Sequence, residues 1–264
     1  MSFSLRVLCL VCSLLFVSDT SSSRLPPAPE RAGSSSAPPV IVIGFVGGYV
    51  RHDDRVHTEV QLADRLREEY ASGISVQTFE NHRGKEAHET VLRLLDSNGD
   101  GDLSPEEKQN ARVIIFGHSW GASETVELAR QLEKDGVPVV LTIQVDSVQK
   151  RGENDALIPA NVSQAVNFYQ LDGLLHGQRE IRAANPARTR ILGNFRSDYK
   201  DKPMTCGQYP WYDRLLMRPH IQIECDPAVW KQVESLIRLN LSLEARLPSA
   251  SESNSPASPF RENR

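Results

Sequence analysis

The chain has 264 residues, 39% of them hydrophobic and 24% charged, with a formal net charge of -4. That balance excludes a collagen-like, wholly disordered or multispan membrane protein. Its 30 Lys and Arg are outnumbered by 34 Asp and Glu, and no basic run is interleaved with aromatics, so nucleic acid is not an expected partner.

Both ends read as lying outside the core. Arg6 precedes the apolar stretch Val7 to Val17, and the small polar run Ser18 to Ser23 follows. This is the three-part pattern of a secretory signal peptide, and the apolar part is too short to cross a bilayer. Residues 1–23 are therefore expected to be removed, leaving a secreted or periplasmic protein with no transmembrane anchor. Residues 24–39 and 247–264, rich in Pro, Ser and Ala, cannot bury enough apolar surface to offset chain entropy and read as a linker and a tail. Residues 40–246 suit one domain. With Cys9 and Cys12 in the signal, Cys206 and Cys225 remain as an even pair in an oxidising compartment. They are expected to form a disulfide, worth roughly 3 kcal/mol for a loop of about 20 residues.

From Val40 onward, short apolar runs alternate with amphipathic stretches, the pattern of an α/β protein with a mostly parallel central sheet flanked by helices. The β-branched run Val40 to Phe45 predicts a strand. His57 to Tyr70 predicts a helix, with Val60, Leu62, Ala63, Leu66 and Tyr70 at helical spacing. Ile74 to Phe79 predicts a second strand, Lys85 to Leu95 a helix, Arg112 to His118 a strand and Ala122 to Lys134 a helix. Val137 to Val145 is wholly apolar, as for a strand buried on both faces. Strands at Ala165 to Gln170 and Thr189 to Phe195 and a helix from Pro227 to Asn240 complete the reading.

Gly117-His118-Ser119-Trp120-Gly121 matches G-x-S-x-G at the junction of a predicted strand and a predicted helix. There the glycines remove side chains that would clash in a sharp turn, and the helix N-terminus favours an oxyanion. With these residues the chain resembles the α/β-hydrolase superfamily, GHSWGA being similar to the elbow of secreted lipases and esterases. The resemblance spans Val40 to about Asn240. It implies a serine nucleophile, an acid and a histidine in that chain order, acting on a carboxylic ester through an acyl-enzyme. Ser119 would be the nucleophile. Asp146, ending the apolar strand after the elbow helix, is the preferred acid, with Asp172 one strand later as the other candidate. The family pattern wants the histidine on a loop before the final helix, which points to His220, bracketed by Cys206 and Cys225. The oxyanion hole would use the N–H of Trp120 and another from the Gly44 to Gly48 loop, from Phe45 or Val46.

Asp96 to Glu107 matches the twelve-position EF-hand calcium loop. Asp96, Asn98, Asp100 and a bidentate Glu107 would surround Ca²⁺, Asp102 would give its backbone carbonyl and Ser104 could act through water. One such loop with a brief second helix suits a structural ion rather than a paired sensor. Arg51 to His57 contains two histidines and two aspartates, yet mixed charges before a helix read as a solvated first turn. Between Gln170 and His220, Phe195, Tyr199, Tyr209, Trp211 and Tyr212 lie among Arg190, Arg196, Lys200, Lys202, Arg214 and Arg218; they either cap a pocket or pack and solvate in the ordinary way. The expected partner is a small-molecule or lipid ester. The rival readings are a calcium-bound, non-catalytic binding module on the same fold and a thioesterase.

Overall fold

A computed structural model describes residues 40–70, 72–200 and 204–244. The expected signal peptide, linker and tail lie outside them. In chain order the elements are β1 (Val40–Val46), α1 (Thr58–Glu69), β2 (Ile74–Glu80), α2 (Gly84–Leu95), α3 (Pro105–Gln109), β3 (Val113–His118), α4 (Trp120–Lys134), β4 (Val139–Val145), β5 (Leu157–Ile158), β6 (Val162–Gln170), β7 (Arg182–Ala183), β8 (Arg190–Ser197), α5 (Trp211–Leu216), α6 (Arg218–Glu224) and α7 (Pro227–Glu244). Six strands form one sheet in the order β2-β1-β3-β4-β6-β8, every neighbouring pair parallel. The expected fold class, a parallel sheet flanked by helices, is the one observed.

The period-two alternation of each strand feeds both faces of the sheet. On one face Ile41, Ile43, Phe45, Val113 and Ile115 pack with Ala87, Val91 and Leu95 of α2 and with Val126, Ala129 and Leu132 of α4. On the other, Val42, Ile114, Phe116, Leu141, Ile143 and Val145 pack with Leu62, Ala63 and Leu66 of α1 and with Val229, Val233 and Ile237 of α7. Each fully buried Ile, Leu or Phe in these layers contributes roughly 1.5–3 kcal/mol. Because the strands run in one direction, β1, β3, β4 and β6 deliver Val46, His118, Val145 and Gln170 to the same edge, where the site lies.

The observed elements include β5, β7 and α5, which the sequence pattern does not announce, and differ from the expected ones elsewhere too. The elbow helix starts at Trp120, directly after Ser119, and β6 starts at Val162, three residues early. His220, expected on a loop, sits in α6, a seven-residue helix with a proline in its first turn. So short a helix shows no apolar periodicity, and only Pro219, well suited to a helix start, marks it. Among the described residues, no helix is long and apolar enough to cross a membrane.

Candidate active site

The turn from β3 into α4 holds Ser119 at φ 57° and ψ -126°, a backbone conformation that L-residues avoid. The turn is also crowded. A Cβ on Gly117 would lie 2.5 Å from the Gly121 carbonyl oxygen, and one on Gly121 would overlap the carbonyl of Phe45. Both positions therefore require glycine for close backbone approach. The Ser119 N–H donates to the Val145 carbonyl at 3.0 Å, and its own carbonyl accepts from Ala122 and Val148 at 3.0 and 3.2 Å. These bonds fix where Oγ points.

His220 Nε2 lies 2.8 Å from Ser119 Oγ, and His220 Nδ1 lies 2.7 Å from Asp146 Oδ2. All three side chains are buried. An ionised carboxylate only accepts, so Nδ1 carries the proton toward Asp146 and Nε2 is left to accept from the serine hydroxyl. Asp146 directly follows β4 with φ 46° and is wholly buried. Its Oδ1 accepts from the backbone N–H groups of Gln170 at 3.1 Å and Gly177 at 2.8 Å, and its Oδ2 from Gln170 Nε2 at 2.7 Å. Asp172, the other candidate acid, accepts from the Tyr199 N–H at 3.0 Å and is not the partner of His220. Gln170 and Gly177 escaped sequence reasoning. The one available signal was a polar residue at the end of a predicted strand.

Trp120 opens α4, so its N–H is among those a helix leaves without an intrahelical acceptor. Phe45 is paired in the ladder on both sides, with Phe79 and Gly117, whereas Val46 pairs with Glu80 alone. Gly47, beyond both, comes so close that a Cβ on it would lie 2.9 Å from Ser119 Cβ. Beside Trp120 opens a cleft of about 520 Å³ lined by Gly48, Tyr49, His82, Gln149, Lys150 and Arg151 among others. The aromatics between Gln170 and His220 do not line it. Tyr199 and Tyr209 are buried, Phe195 stacks on Phe168, and Trp211 and Tyr212 stand exposed on α5.

Behind the elbow lies a second buried polar cluster. The His118 ring rests against that of His220, with centroids 4.5 Å apart. Its Nδ1 is 3.4 Å from Glu224 Oε2 and 3.8 Å from Glu59 Oε1, and Glu224 Oε1 meets His57 Nδ1 at 2.5 Å. Burial, reinforced by the Glu224 charge, pushes the Glu59 carboxyl well above the usual range. At Glu224 burial works in the same direction, but His118 and His57 outweigh it and hold that carboxyl low. Burial lowers His118 to about 4. His57, read from sequence as part of a solvated turn, faces inward because its partner Glu224 lies 167 residues away in the chain.

In the Asp96 to Glu107 loop, Gly101 at position six has φ 89° and donates its N–H to Asp96 Oδ2 at 2.9 Å. Glu107 reaches back across the loop, accepting from Ser97 N and Oγ and from Ser104 N and Oγ at 2.7–2.9 Å. The Ser97 and Ser104 donors hold its carboxyl down to about 2, ionised at any ordinary pH. Cys206 and Cys225 form a disulfide with Cα atoms 5.9 Å apart, tying the segment before α5 to the end of α6.

No protein-family model matches the chain, and no curated protein matches it. Solved structures do. A protein described as a hydrolase of the α/β superfamily from Xanthomonas campestris pv. campestris is 13% identical, with 76% of this chain and 99% of that one covered and a TM-score of 0.35. A thermostable esterase from Pseudomonas putida is 12% identical, with 79% and 74% covered and a TM-score of 0.38. A dienelactone hydrolase-like promiscuous phosphotriesterase from metagenomic libraries is 16% identical, with 78% and 89% covered and a TM-score of 0.35. Likeness at this level does not carry those proteins' substrates over to this chain.

Proposed function

We propose that the protein is a serine hydrolase that cleaves carboxylic esters through an acyl-enzyme, and the observation that carries this is the hydrogen-bonded chain Ser119–His220–Asp146. Ser119 Oγ attacks the ester carbonyl carbon as His220 Nε2 takes its proton, and Asp146 stabilises the imidazolium without itself being protonated. Trp120 N–H and a second N–H from the end of β1, from Phe45 or Val46, would receive the developing oxyanion. As the tetrahedral intermediate collapses, the alcohol leaves with the proton from His220. Water then attacks the acyl group with the same histidine as base, and Ser119 recovers its proton.

Access to the serine comes through the cleft beside Trp120, which suits a small-molecule or lipid ester. Secretion or export to a periplasm rests on the leader read in residues 1–23, and N-terminal sequencing of the mature protein tests it. Hydrolysis of a panel of p-nitrophenyl acyl esters tests the chemistry. Turnover with a pre-steady-state burst equal to the enzyme concentration is expected, with kcat of Ser119→Ala reduced by a factor on the order of 10⁶. Hydrolysis undiminished in that variant would reject the reading.

Calcium belongs to the same proposal. Asp96, Asn98, Asp100, the Asp102 carbonyl and Glu107 offer the oxygen donors that a hard cation takes, and Gly101 already makes the turn that the loop needs. Such an ion would supply charge neutralisation in the connection between α2 and β3 and no part of the reaction. Calorimetry of chelator-treated protein should show one Ca²⁺ bound, and no heat and no melting shift at millimolar Ca²⁺ would remove the ion from the account.

A further inference from the structure

Glu59 is the most anomalous polar residue in the described structure. It is completely buried, and neither carboxylate oxygen has a hydrogen-bond partner. Its Oε1 points toward His118 Nδ1, and among the described residues Glu59 belongs with His57 and Glu224 to a set whose ligand atoms all lie within 4.8 Å of one another. His118 Nδ1 faces both carboxylates at 3.4 and 3.8 Å. Two carboxyl groups packed this closely in a dry site cannot both carry a charge without a cation between them.

We propose that His57, Glu59, Glu224 and His118 form a structural Zn²⁺ site next to the nucleophile turn. Tetrahedral zinc with bonds of 2.0–2.1 Å separates its ligand atoms by about 3.3 Å; His118 Nδ1 already stands 3.4 and 3.8 Å from the two carboxylates, while His57 Nδ1, 2.5 Å from Glu224 Oε1, would move outward to bind. Two imidazoles with two carboxylates favour zinc over Ca²⁺ or Mg²⁺, which take oxygen alone. The ligands come from three places: His57 and Glu59 from the start of α1, His118 from the end of β3, and Glu224 from the end of α6. Thr58 Oγ1, which donates to the Glu224 carbonyl at 2.8 Å, already holds two of these elements together. Zinc would clamp α6, and with it His220 four residues before Glu224, against the strand that delivers Ser119. The site stands whether or not the ester chemistry does, since no ligand belongs to the hydrogen-bonded chain of Ser119, His220 and Asp146.

The experiment is Zn²⁺ uptake by chelator-stripped full-length protein in saturating Ca²⁺, measured by competition with a chromophoric chelator and by elemental analysis after gel filtration. One Zn²⁺ per chain is expected, retained in Asp96→Asn and weakened about tenfold or more in Glu59→Gln and His57→Ala. No uptake by the wild type, or uptake that Glu59→Gln leaves undiminished, would overturn the site. Should those variants fail to fold, Co²⁺-loaded wild type decides. Strong visible absorption of a four-coordinate ion with paramagnetically shifted His57 and His118 ring protons supports the site, and a weak six-coordinate spectrum or unshifted rings rejects it.

Discussion

Gln170 Nε2 donates to Asp146 Oδ2 at 2.7 Å, on the carboxylate oxygen that also receives His220 Nδ1. The side chain at the end of β6 therefore sets the orientation of the acid at the end of β4. Gln170→Leu removes this donor and leaves a buried carboxylate short of one bond, a cost of about 1–3 kcal/mol. If that cost falls on the imidazolium-stabilising geometry, kcat on an activated ester drops roughly 5- to 150-fold. Steady-state kinetics check it, and KM should change far less than kcat.

Gly177 stands where a Cβ would overlap the backbone and Oδ1 of Asp146, and its N–H donates to the same carboxylate. Gly177→Ala is expected to displace the acid and lower kcat about tenfold or more, since small misplacements at a reacting centre are costly. The control is Gly152→Ala, where no atom lies within 4 Å of the new methyl group. Its φ of 88° strains the turn, so stability falls modestly there while kcat holds.

The Cys206–Cys225 bridge closes a separation of 19 residues around α5 and α6. Replacing both cysteines by alanine should cost about 3 kcal/mol by the chain-entropy model, measurable by urea unfolding. Activity should fall at temperatures well below the melting transition, because the segment that carries His220 loses its tether. Equal stability with and without reductant would contradict this.

Glu80 gives a pH-dependent test. Burial works to raise its carboxyl, but the His52 side chain and N–H, both bonded to Oε1, together outweigh that and bring it to about 2. A depressed carboxylate contributes stability above its unfolded value near 4.5 that is lost as pH falls toward 2. The stability difference between wild type and Glu80→Gln should therefore be largest near neutrality and shrink between about pH 4.5 and pH 2. A difference independent of pH would show that the pair contributes no charge-dependent stability.

Local patterns carried the architecture. Alternating β-branched runs such as Val40 to Phe45, and the glycines around Ser119, dictate strands and a sharp turn without reference to the rest of the chain. The arrangement of His220 against Asp146 and Ser119 was readable only as an order along the chain, because the helix that carries it is too short to show a period. The cluster of Glu59, His118 and Glu224 was not readable at all. Nothing near Glu59 in sequence marks it as buried, and its neighbours come from β3 and α6, far away along the chain. Gln170 likewise looked like the polar end of a strand until the parallel register set it beside Asp146.

The most direct test of the Ser119 and His220 pair is labelling of the mature protein with a fluorophosphonate, followed by peptide mass spectrometry. One adduct per chain on Ser119, with labelling lost in Ser119→Ala and in His220→Ala while both variants keep the wild-type fold, is the expected result. An unlabelled wild type, or an adduct that survives in folded His220→Ala at the wild-type rate, would contradict it.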